Sequence, residues 1–411
     1  MLKTSMKLLP ALVLGGLYGT ASASGFQLLE QNASGLGNAY AGSAAVAEDA
    51  STIYFNPAGM TKLQDREVSV GLNAIRPSYK FTNNGTTNPA AFGGGAATGG
   101  NGGDAGDWGY VPNGYMSWAL SKDLYVGVGI GAPFGLKTEY DRNWVGRYQS
   151  IKFDIKTLNI NPSVAYRLND KVSVGFGLNW QKFDAEYVRQ GAPGALVTLN
   201  AKDSAWGWNA GALFQLSPAT RLGVSYRSDI KYKLEGDIAT AIPGGAGNVT
   251  ADLKTPDTFI LSLTHALNDR WDLLGDLSWT GWGKIPKLDI VRTSGAVAQT
   301  LDTDFRNTWR AALGATYKYS DAWKLKFGVA YDQSPVKDAE RLTSLPDNNR
   351  IWLSVGAQFA PSKTSRLDVG YAHLFVKDSQ INNSQNPLRG IVVGSYEASA
   401  DILGIQYSSS F

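Results

Sequence analysis

The side chains that most often carry enzyme chemistry are scarce in this chain. It has no cysteine and only two histidines, His265 and His373. The lack of cysteine excludes disulfides, thiol nucleophiles and cysteine-ligated metals. The two histidines have no metal-ligand spacing to each other or to carboxylates, and neither has a strand-matched serine with which to form a hydrolase pair. We therefore expect no enzyme activity, no metal and no cofactor.

Nucleotide and nucleic-acid chemistry are also disfavoured. The glycine runs at 93–95 and 99–100 precede neither a helix nor a Gly-Lys-Ser/Thr ending, so they indicate a flexible loop rather than a phosphate cradle. The 38 basic and 35 acidic residues nearly cancel, and no basic stripe predicts a nucleic-acid partner. What remains is a chain rich in glycine and aromatic residues, a composition that suits sheets and interfaces.

The N-terminal residues predict export. Lys3 and Lys7 precede a short apolar run, Leu8 to Leu17, and Ala21-Ser22-Ala23 fits an A-x-A cleavage site. The apolar run is shorter than the ~20 residues that a transmembrane helix needs. We predict that residues 1–23 are a removable signal peptide and that the mature chain begins near Ser24.

Alternation with a period of two recurs along the rest of the chain and predicts long β-strands. In 172–181 the apolar and aromatic side chains share one face, and in 324–332 they oppose Lys324 and Lys326. Long strands whose apolar faces end in aromatic residues are typical of outer-membrane barrels rather than of soluble sandwiches. Lys324 and Lys326 must then face the lumen, because a lysine facing lipid at mid-membrane costs about 2–4 kcal/mol.

Short turns alternate with long irregular stretches, as the two sides of an outer-membrane barrel do. Six short turns separate seven pairs of strands, so we predict an all-β fold with a 14-stranded antiparallel transmembrane barrel in the outer membrane of a Gram-negative bacterium. The final strand ends in the aromatic residue Phe411, as is typical of such barrels. The short turns lie at 121–123, 169–171, 217–220, 268–270, 320–322 and 361–364, and the long loops at 82–108, 138–150, 188–204, 236–252, 293–303, 335–348 and 377–391.

A barrel of this size needs a plug. Side chains fill the interior of an eight-stranded barrel, whereas 14 strands would leave a hole. Residues 24–66 are rich in alanine and glycine, lack sustained alternation and precede the first strand. We predict that residues 24–66 form a hatch of short helices and turns inside a barrel formed by 67–411. A disordered periplasmic tail is the alternative.

A series of short blocks, taken in order, resembles one known family. The blocks are Gly25-Phe26-Gln27-Leu28, Ser34-Gly35-Leu36-Gly37, Asn56-Pro57-Ala58, Phe134-Gly135-Leu136, Trp206-Gly207-Trp208-Asn209, Tyr226-Arg227-Ser228, Asp332-Gln333-Ser334-Pro335 and Leu345-Pro346-Asp347. In this order they resemble the FadL family of outer-membrane transporters for long-chain fatty acids and other hydrophobic compounds. The resemblance covers essentially the whole mature chain. It implies a 14-stranded barrel closed by an N-terminal hatch.

The resemblance also implies a route for the ligand. Members are thought to capture a hydrophobic ligand at an outer groove, pass it to an internal pocket and release it sideways through the barrel wall. Phe26 would close the pocket below, and Arg189 would pair with the ligand carboxylate. Where the best-known members carry a second cation, this chain reads Gln299-Thr300-Leu301-Asp302, which predicts weaker head-group recognition or the use of other residues. The groove would use loops 188–204 and 236–252, with Leu196, Val197, Leu199, Ile238, Ile242 and Pro243 as its apolar residues.

Two further motifs take their roles from the resemblance. Asn56-Pro57-Ala58, which by itself indicates only a turn, would anchor the hatch to the barrel wall. Gly131-Ala132-Pro133-Phe134-Gly135 interrupts the third predicted strand with residues that weaken a ladder. The family has an inward kink in this strand, so Pro133, Phe134 and Gly135 would form a lateral gate. The alternative is that the strand simply ends there.

The leading hypothesis is therefore an outer-membrane diffusion channel for long-chain fatty acids. The alternatives are the same mechanism for monoaromatic hydrocarbons, an aqueous porin, and an adhesive or structural barrel. The expected partners are hydrophobic small molecules together with outer-membrane lipid and lipopolysaccharide, and we expect a monomer.

Overall fold

The computed structural model describes residues 24–411, so the predicted signal peptide lies outside the described residues. One antiparallel sheet closes on itself as a 14-stranded barrel, because β14 pairs with β1. Several strands consist of two segments separated by a short break. The strands are β1 (Arg66–Asn83), β2 (Gly109–Ala119), β3 (Leu124–Gly131 and Gly135–Glu139), β4 (Lys152–Arg167), β5 (Val172–Ala192), β6 (Ala195–Ser217), β7 (Thr220–Arg227 and Ile230–Thr240), β8 (Gly247–Thr255 and Thr258–Ala266), β9 (Trp271–Thr280 and Lys287–Arg292), β10 (Val297–Asp302 and Thr308–Lys318), β11 (Trp323–Asp332), β12 (Arg350–Ser362), β13 (Ser365–Val376 and Ser379–Asn383) and β14 (Val392–Ser410).

The predicted fold class and strand number are confirmed. Each of the predicted short turns joins two neighbouring strands at one end of the barrel. Within residues 24–411, no helix is long and apolar enough to cross a membrane. Helical structure in the described part of the chain consists of one α-helix, Thr52–Phe55, and short 3-10 helices at Leu36–Asn38, Pro57–Lys62, Ala90–Phe92, Trp282–Lys284, Asp338–Glu340 and Pro387–Arg389.

The assignment of 188–204 and 236–252 to irregular loops is wrong. β5 and β6 continue through the first stretch and meet at a tight turn, where Gly194 has a φ of +77°. Most of the second stretch belongs to β7 and β8. These strands therefore extend much further on the long-loop side than the sequence pattern predicted.

The reason for this error is a reversal of faces along the strands that form these two stretches, as β5 shows. In the lower part of β5, apolar Phe176 and Leu178 face outward and are 44% and 46% exposed. Further up the same strand the outward positions hold Lys182 and Asp184, while Phe183 is buried inside. The strand keeps its period of two but exchanges its apolar and polar faces near Trp180. The upper part of the barrel is thus built to stand in water around an apolar interior.

Residues 24–65 lie inside the barrel and form the hatch. Most residues from Ser24 to Leu63 are buried and none of them is exposed, and β1 begins at Arg66. The regular structure of this segment consists of the short helices Leu36–Asn38, Thr52–Phe55 and Pro57–Lys62. A row of inward-facing glycines on β10 to β14 forms a seat for its backbone, and these glycines are Gly314, Gly328, Gly356, Gly370 and Gly404.

The fit between hatch and seat leaves no room for a side chain. A Cβ added to Gly328 would lie 2.1 Å from the carbonyl carbon of Asn38, and one added to Gly356 would lie 2.9 Å from the Cα of Gly37. The side-chain amide of Asn38 donates hydrogen bonds to the carbonyls of Ala315 on β10 and Phe327 on β11. Barrel glycines thus allow backbone-to-backbone packing, as expected where two chains approach closely.

Buried ion pairs hold the same part of the hatch. As predicted, Lys324 and Lys326 face the lumen. The Nζ of Lys324 lies 2.6 Å from Glu48 of the hatch, and the Nζ of Lys326 lies 3.1 Å from it. Lys326 also pairs with Asp368 at 2.9 Å and donates a hydrogen bond to the carbonyl of Ser34. Such buried charges are tolerated only because they are paired and hydrogen-bonded.

Substituting Gly328 with valine should displace the hatch from its seat. The added side chain would overlap the backbone of Asn38, and overpacking of this kind costs about 1–3 kcal/mol. We expect a larger ion conductance than that of the wild-type protein in planar bilayers. Gly275→Val is the matched control, because no atom lies within 4 Å of a Cβ at that position. Equal conductance of the two variants would contradict the conclusion that the hatch packs on Gly328.

Candidate functional site

The upper parts of β4 to β10 enclose an apolar cavity. It encloses about 910 Å³ of empty space, a figure that includes open solvent at its mouth. The reversal of faces described above supplies its walls, because the inward positions at this level are apolar. The lining includes Phe153, Ile155, Phe183, Tyr187, Leu199, Leu234, Leu253, Leu288, Ile290 and Leu301.

Four aromatic rings form the floor of the cavity. Phe26 of the hatch packs edge-on against Trp282 at 4.8 Å and lies 5.8 Å from Phe134. Phe305 contacts Trp282 at 5.8 Å. Phe26 and Phe305 line the cavity, whereas Trp282 lines a second, more polar cavity of about 530 Å³ beneath the floor. The four rings therefore separate an apolar chamber from a more polar one.

The sequence predictions gave no role to the stretch 333–349, between β11 and β12. This stretch turns inward, and Leu342, Ser344 and Leu345 line the cavity. The carboxylate of Asp347 in this loop accepts a hydrogen bond of 2.8 Å from the N–H of Gly25. It also accepts hydrogen bonds from the hydroxyl of Ser334 and the guanidinium of Arg350. Because Gly25 precedes Phe26, this loop positions the floor of the cavity.

The same loop contacts the upper segment of β3. The hydroxyl of Thr138 donates to the carbonyl of Ser344 at 3.1 Å, and that of Tyr140 donates to the carbonyl of Thr343 at 2.6 Å. The cavity wall, the beginning of the hatch and β3 are therefore joined through one inward loop. These contacts link residues some 200 to 320 positions apart in the sequence, so no local pattern could have indicated them.

Arg189 lies at the upper end of the cavity. It shares the inward face of β5 with Tyr187, two residues below, which lines the cavity. Within the described part of the chain, no carboxylate lies within ion-pair distance of Arg189, and its one hydrogen bond goes to the carbonyl of Gln190. Burial lowers the pKa of Arg189 to about 10, and the positive charge of Arg389 contributes to this. A half-buried guanidinium with no acidic partner among the described residues is suited to binding an anion.

The third strand breaks at residues 132–134, as predicted from its proline and glycines. Below the break β3 pairs with β2, up to the pair of Ile130 with Gly114. Above it, the segment Gly135–Glu139 pairs with β4 alone, while residues 109–113 of β2 pair only with β1. The ladder between β2 and β3 therefore ends at this level, and the barrel wall has a gap.

The hatch satisfies the backbone groups that the break sets free. The N–H of Leu28 donates to the carbonyl of Pro133 at 2.7 Å, and the N–H of Gly135 donates to the carbonyl of Phe26 at 2.9 Å. The N–H of Phe134 donates to the hydroxyl of Thr157 on β4 at 3.0 Å. Unpaired backbone groups are not tolerated in hydrocarbon unless the protein supplies partners, and here the start of the hatch supplies them.

Of the other residues predicted for the binding site, some lie in the apolar cluster around the cavity and one does not. Val197 and Ile238 are buried in the same apolar cluster as the cavity, and Ile242 packs against that cluster. Leu196 lies on the outer face of β6, 36% exposed, and does not line the cavity. The two histidines lie on the barrel wall, where their rings hydrogen-bond to Thr220 and Asp401.

Asn56 bridges the hatch and the barrel wall. Its amide donates hydrogen bonds to the carbonyl of Ala44 within the hatch and to that of Ala212 on β6. Its side-chain oxygen accepts from the N–H of Ala58 at 3.1 Å, which caps the helix that begins at Pro57. A Cβ on Gly211 would lie 2.2 Å from this oxygen, so the wall is shaped around the motif.

Glu30 is a buried acid near the beginning of the hatch. Burial raises the pKa of its carboxyl to about 7, against the opposing effect of Arg350 and Arg310. Its side chain is fully buried. The beginning of the hatch therefore carries a group that titrates near neutral pH.

Comparison with known proteins places these features in one family. The family profile described as Outer membrane protein transport protein (OMPP1/FadL/TodX) matches residues 17–411. The "Long-chain fatty acid transport protein" of Escherichia coli O6:H1 is 31% identical over 402 residues, covering 86% of this chain and 87% of the relative. "Outer membrane protein P1" of Haemophilus influenzae is 29% identical over 448 residues, with 96% of each chain covered.

Two solved structures share the fold. A Pseudomonas aeruginosa FadL homologue is 25% identical and superposes with a TM-score of 0.87. The match covers 94% of this chain and 100% of that one. The toluene transporter TbuX of Ralstonia pickettii is 17% identical, with a TM-score of 0.66 over 93% of this chain and 100% of that one. At that lower identity the likeness concerns the fold alone.

The docking of the hatch should depend on pH through Glu30. Its folded pKa of about 7 lies above the usual 4.5, so the protonated form is favoured in the docked hatch. The stabilisation is complete below about pH 4.5 and is lost as the pH rises through 7, by about 3 kcal/mol in total. Planar-bilayer conductance should therefore be larger at pH 8 than at pH 5. Glu30→Gln should abolish this difference, and an unchanged difference in the variant would rule out Glu30 as its source.

Proposed function

Because this chain belongs to the OMPP1/FadL/TodX family and is an outer-membrane transporter of hydrophobic compounds, we propose that its ligands are long-chain fatty acids. The observation that carries the proposal is the pairing of a predominantly apolar cavity with an arginine at its upper end that has no acidic partner among the described residues. A fatty acid has the matching chemistry, an apolar tail and one carboxylate. Each methylene removed from water contributes about 0.8 kcal/mol.

The carboxylate would meet two cations. Arg189 is the residue predicted from the sequence, and Arg389 lies close enough to affect its pKa. Arg389 follows β13 in the loop that leads to β14, and no acid pairs with it within residues 24–411. Arg389 is thus a candidate for the second cation that the stretch 299–302 lacks. Phe26 would close the chamber below the tail, and Leu199, Val197 and Ile238 would contribute its apolar walls.

We further propose that the ligand leaves sideways at the break in β3. Phe26 lies both on the cavity floor and against Phe134 of the break, so the chamber and the gap share one boundary. Asn56 would hold the centre of the hatch to the wall while its first residues move. An aqueous porin is disfavoured because the hatch fills the lumen and because the cavity is apolar.

Small molecules co-purified with the protein would identify the ligand class directly. Mass spectrometry of an organic extract should detect fatty acids at about one per protein. A predominance of neutral hydrocarbons would favour the alternative ligand class, and a large steady conductance of the wild-type protein would favour a porin.

Arg189→Ala should weaken oleate binding by roughly 10- to 100-fold, because a hydrogen-bonded charge contributes about 1.5–3 kcal/mol. Binding of toluene, which has no charge, should stay within a factor of about two. Lys182→Ala is the control, since Lys182 lies on the outward face of the same strand. Equal losses for oleate and toluene would contradict carboxylate pairing. Tryptophan fluorescence titration in detergent measures both affinities.

Gly135→Leu should reduce uptake of radiolabelled oleate by cells several-fold while oleate binding by the purified protein persists. A Cβ at Gly135 would lie 3.0 Å from Leu28 of the hatch, so a longer side chain would fill the space between hatch and gap. Gly275→Leu is the control, because that position faces open space. Undiminished uptake by the Gly135 variant would exclude the lateral route.

A further inference from the structure

The upper barrel wall is interrupted between β8 and β9. The ladder of their lower segments ends at the pair of Thr258 with Thr280. Residues 251–257 of β8 then face residues 281–290 of β9 without ladder pairs, and we call this interruption the β8–β9 slit. Above it, two ladder pairs join the strands in the described chain, and these are Val249 with Arg292 and Thr250 with Val291.

The sequence of β9 explains the slit. The strand leaves the wall at Gly281, forms the short 3-10 helix Trp282–Lys284 and resumes at Lys287. Pro286, just before this point, has no N–H to donate to a ladder. Trp282 is fully buried and contributes its ring to the cavity floor. The inward turn that places Trp282 in the floor therefore takes β9 out of its ladder with β8.

Polar contacts close the lower end of the slit, and apolar side chains border the rest. The N–H of Gly281 donates to the carbonyl of Asp257 at 2.9 Å, and the Nζ of Lys284 lies 2.8 Å from the carboxylate of Asp257. Above this point, side chains of both edges line the cavity, and these are Ala251 and Leu253 on β8 and Leu288 and Ile290 on β9. The slit is therefore a side wall of the cavity formed by two strands that are not paired with each other.

The cavity extends through the slit to the outer surface. Thr250 lies on the outward, exposed face of β8, yet it lines the cavity. On the opposite edge, Leu288 lines the cavity and is half-buried. The outward rings of Phe259 and Trp279 stand opposite each other just below the slit. Because aromatic residues mark the boundary between acyl chains and head groups, the slit opens immediately outside the hydrocarbon.

A comparable interruption between β6 and β7 is closed by hydrogen bonds. The carboxylate of Asp203 accepts from the N–H of Lys233 at 2.8 Å, and the hydroxyl of Ser228 accepts from the N–H of Trp208 at 2.9 Å. None of these four residues lines the cavity. A break in a strand does not by itself open the cavity, so the access at the β8–β9 slit is a specific feature.

We propose that the β8–β9 slit is the entrance through which hydrophobic compounds reach the cavity. A molecule at head-group level would meet a continuous apolar path from Leu288 at the edge to Phe26 on the floor. The strands β3 to β8 lie between this entrance and the break in β3, so uptake and release would use different parts of the wall. The proposal rests on the cavity holding a hydrophobic compound, whether or not that compound is a fatty acid.

A bulky group on the edge of the slit should slow ligand entry. Asp252 is exposed on the outward face of β8 beside the slit, and the chain has no cysteine, so D252C can be labelled at a single site with N-cyclohexylmaleimide. Labelled D252C should bind toluene and oleate roughly tenfold more slowly than unlabelled D252C, because obstruction of a passage lowers rates. The equilibrium affinities should be the same before and after labelling, because the label lies outside the cavity. Stopped-flow tryptophan fluorescence in detergent measures the rates.

D184C is the matched control. Asp184 is an outward carboxylate on β5, where the ladder continues on both sides through its pairs with Lys156 and Lys202. Labelling D184C should leave the rate of binding unchanged. The proposal is overturned if labelled D252C binds toluene as fast as its unlabelled form, or if labelled D184C is slowed equally.

The two ligands separate the entrance from the identity of the ligand. If toluene binds and oleate does not, the fatty-acid proposal is contradicted, and the toluene rates still decide whether the slit is the entrance. If neither ligand binds to the unlabelled protein, the cavity is not the ligand site and the entrance is excluded with it.

Discussion

In hydrocarbon, every backbone N–H and C=O must find a partner within the protein, and the break in β3 would violate this requirement without the hatch. Leu28 and Phe26 supply backbone partners to Pro133 and Gly135, and the amide of Gln31 donates to the carbonyl of Ala132. The first residues of the hatch are therefore part of the barrel wall. The floor of the chamber, the gap in the wall and the start of the hatch form one hydrogen-bonded unit.

The second constraint is that each strand passes through two environments. Below the level of the exposed aromatic residues, lipid surrounds the barrel and the hatch occupies its lumen, so apolar residues face outward. Above it the solvent outside is water, and the same strand turns its apolar residues inward without changing its period. The exchange near Trp180 on β5 creates the chamber, because it surrounds an enclosed space with apolar walls at the height where the hatch ends.

Local patterns were enough for the features that depend on local chemistry. The short turns predict the strand number, the proline and glycines predict the break in β3, and the cost of charge in lipid predicts the lumenal Lys324 and Lys326. The upper strands were missed because their reversed faces no longer match a membrane pattern. The role of Asp347 and the purpose of Gly328 depend on contacts with Gly25 and Asn38, residues about 300 positions away. A local sequence pattern cannot indicate a contact with a residue so far away in the chain.

The hatch is held with unequal strength along its length. Its centre is fixed by backbone packing on barrel glycines, by the paired charge of Glu48, and by consecutive left-handed residues Ala39 and Tyr40, whose strain the surrounding contacts must offset. Its first residues are held by hydrogen bonds to the loop 333–349 and to the break in β3 and by the ring of Phe26, with no ion pair among the described residues. Opening the chamber at Phe26 therefore requires breaking ring contacts and hydrogen bonds but no ion pair of the described residues, whereas a path through the centre would also require breaking the ion pairs of Glu48 with Lys324 and Lys326.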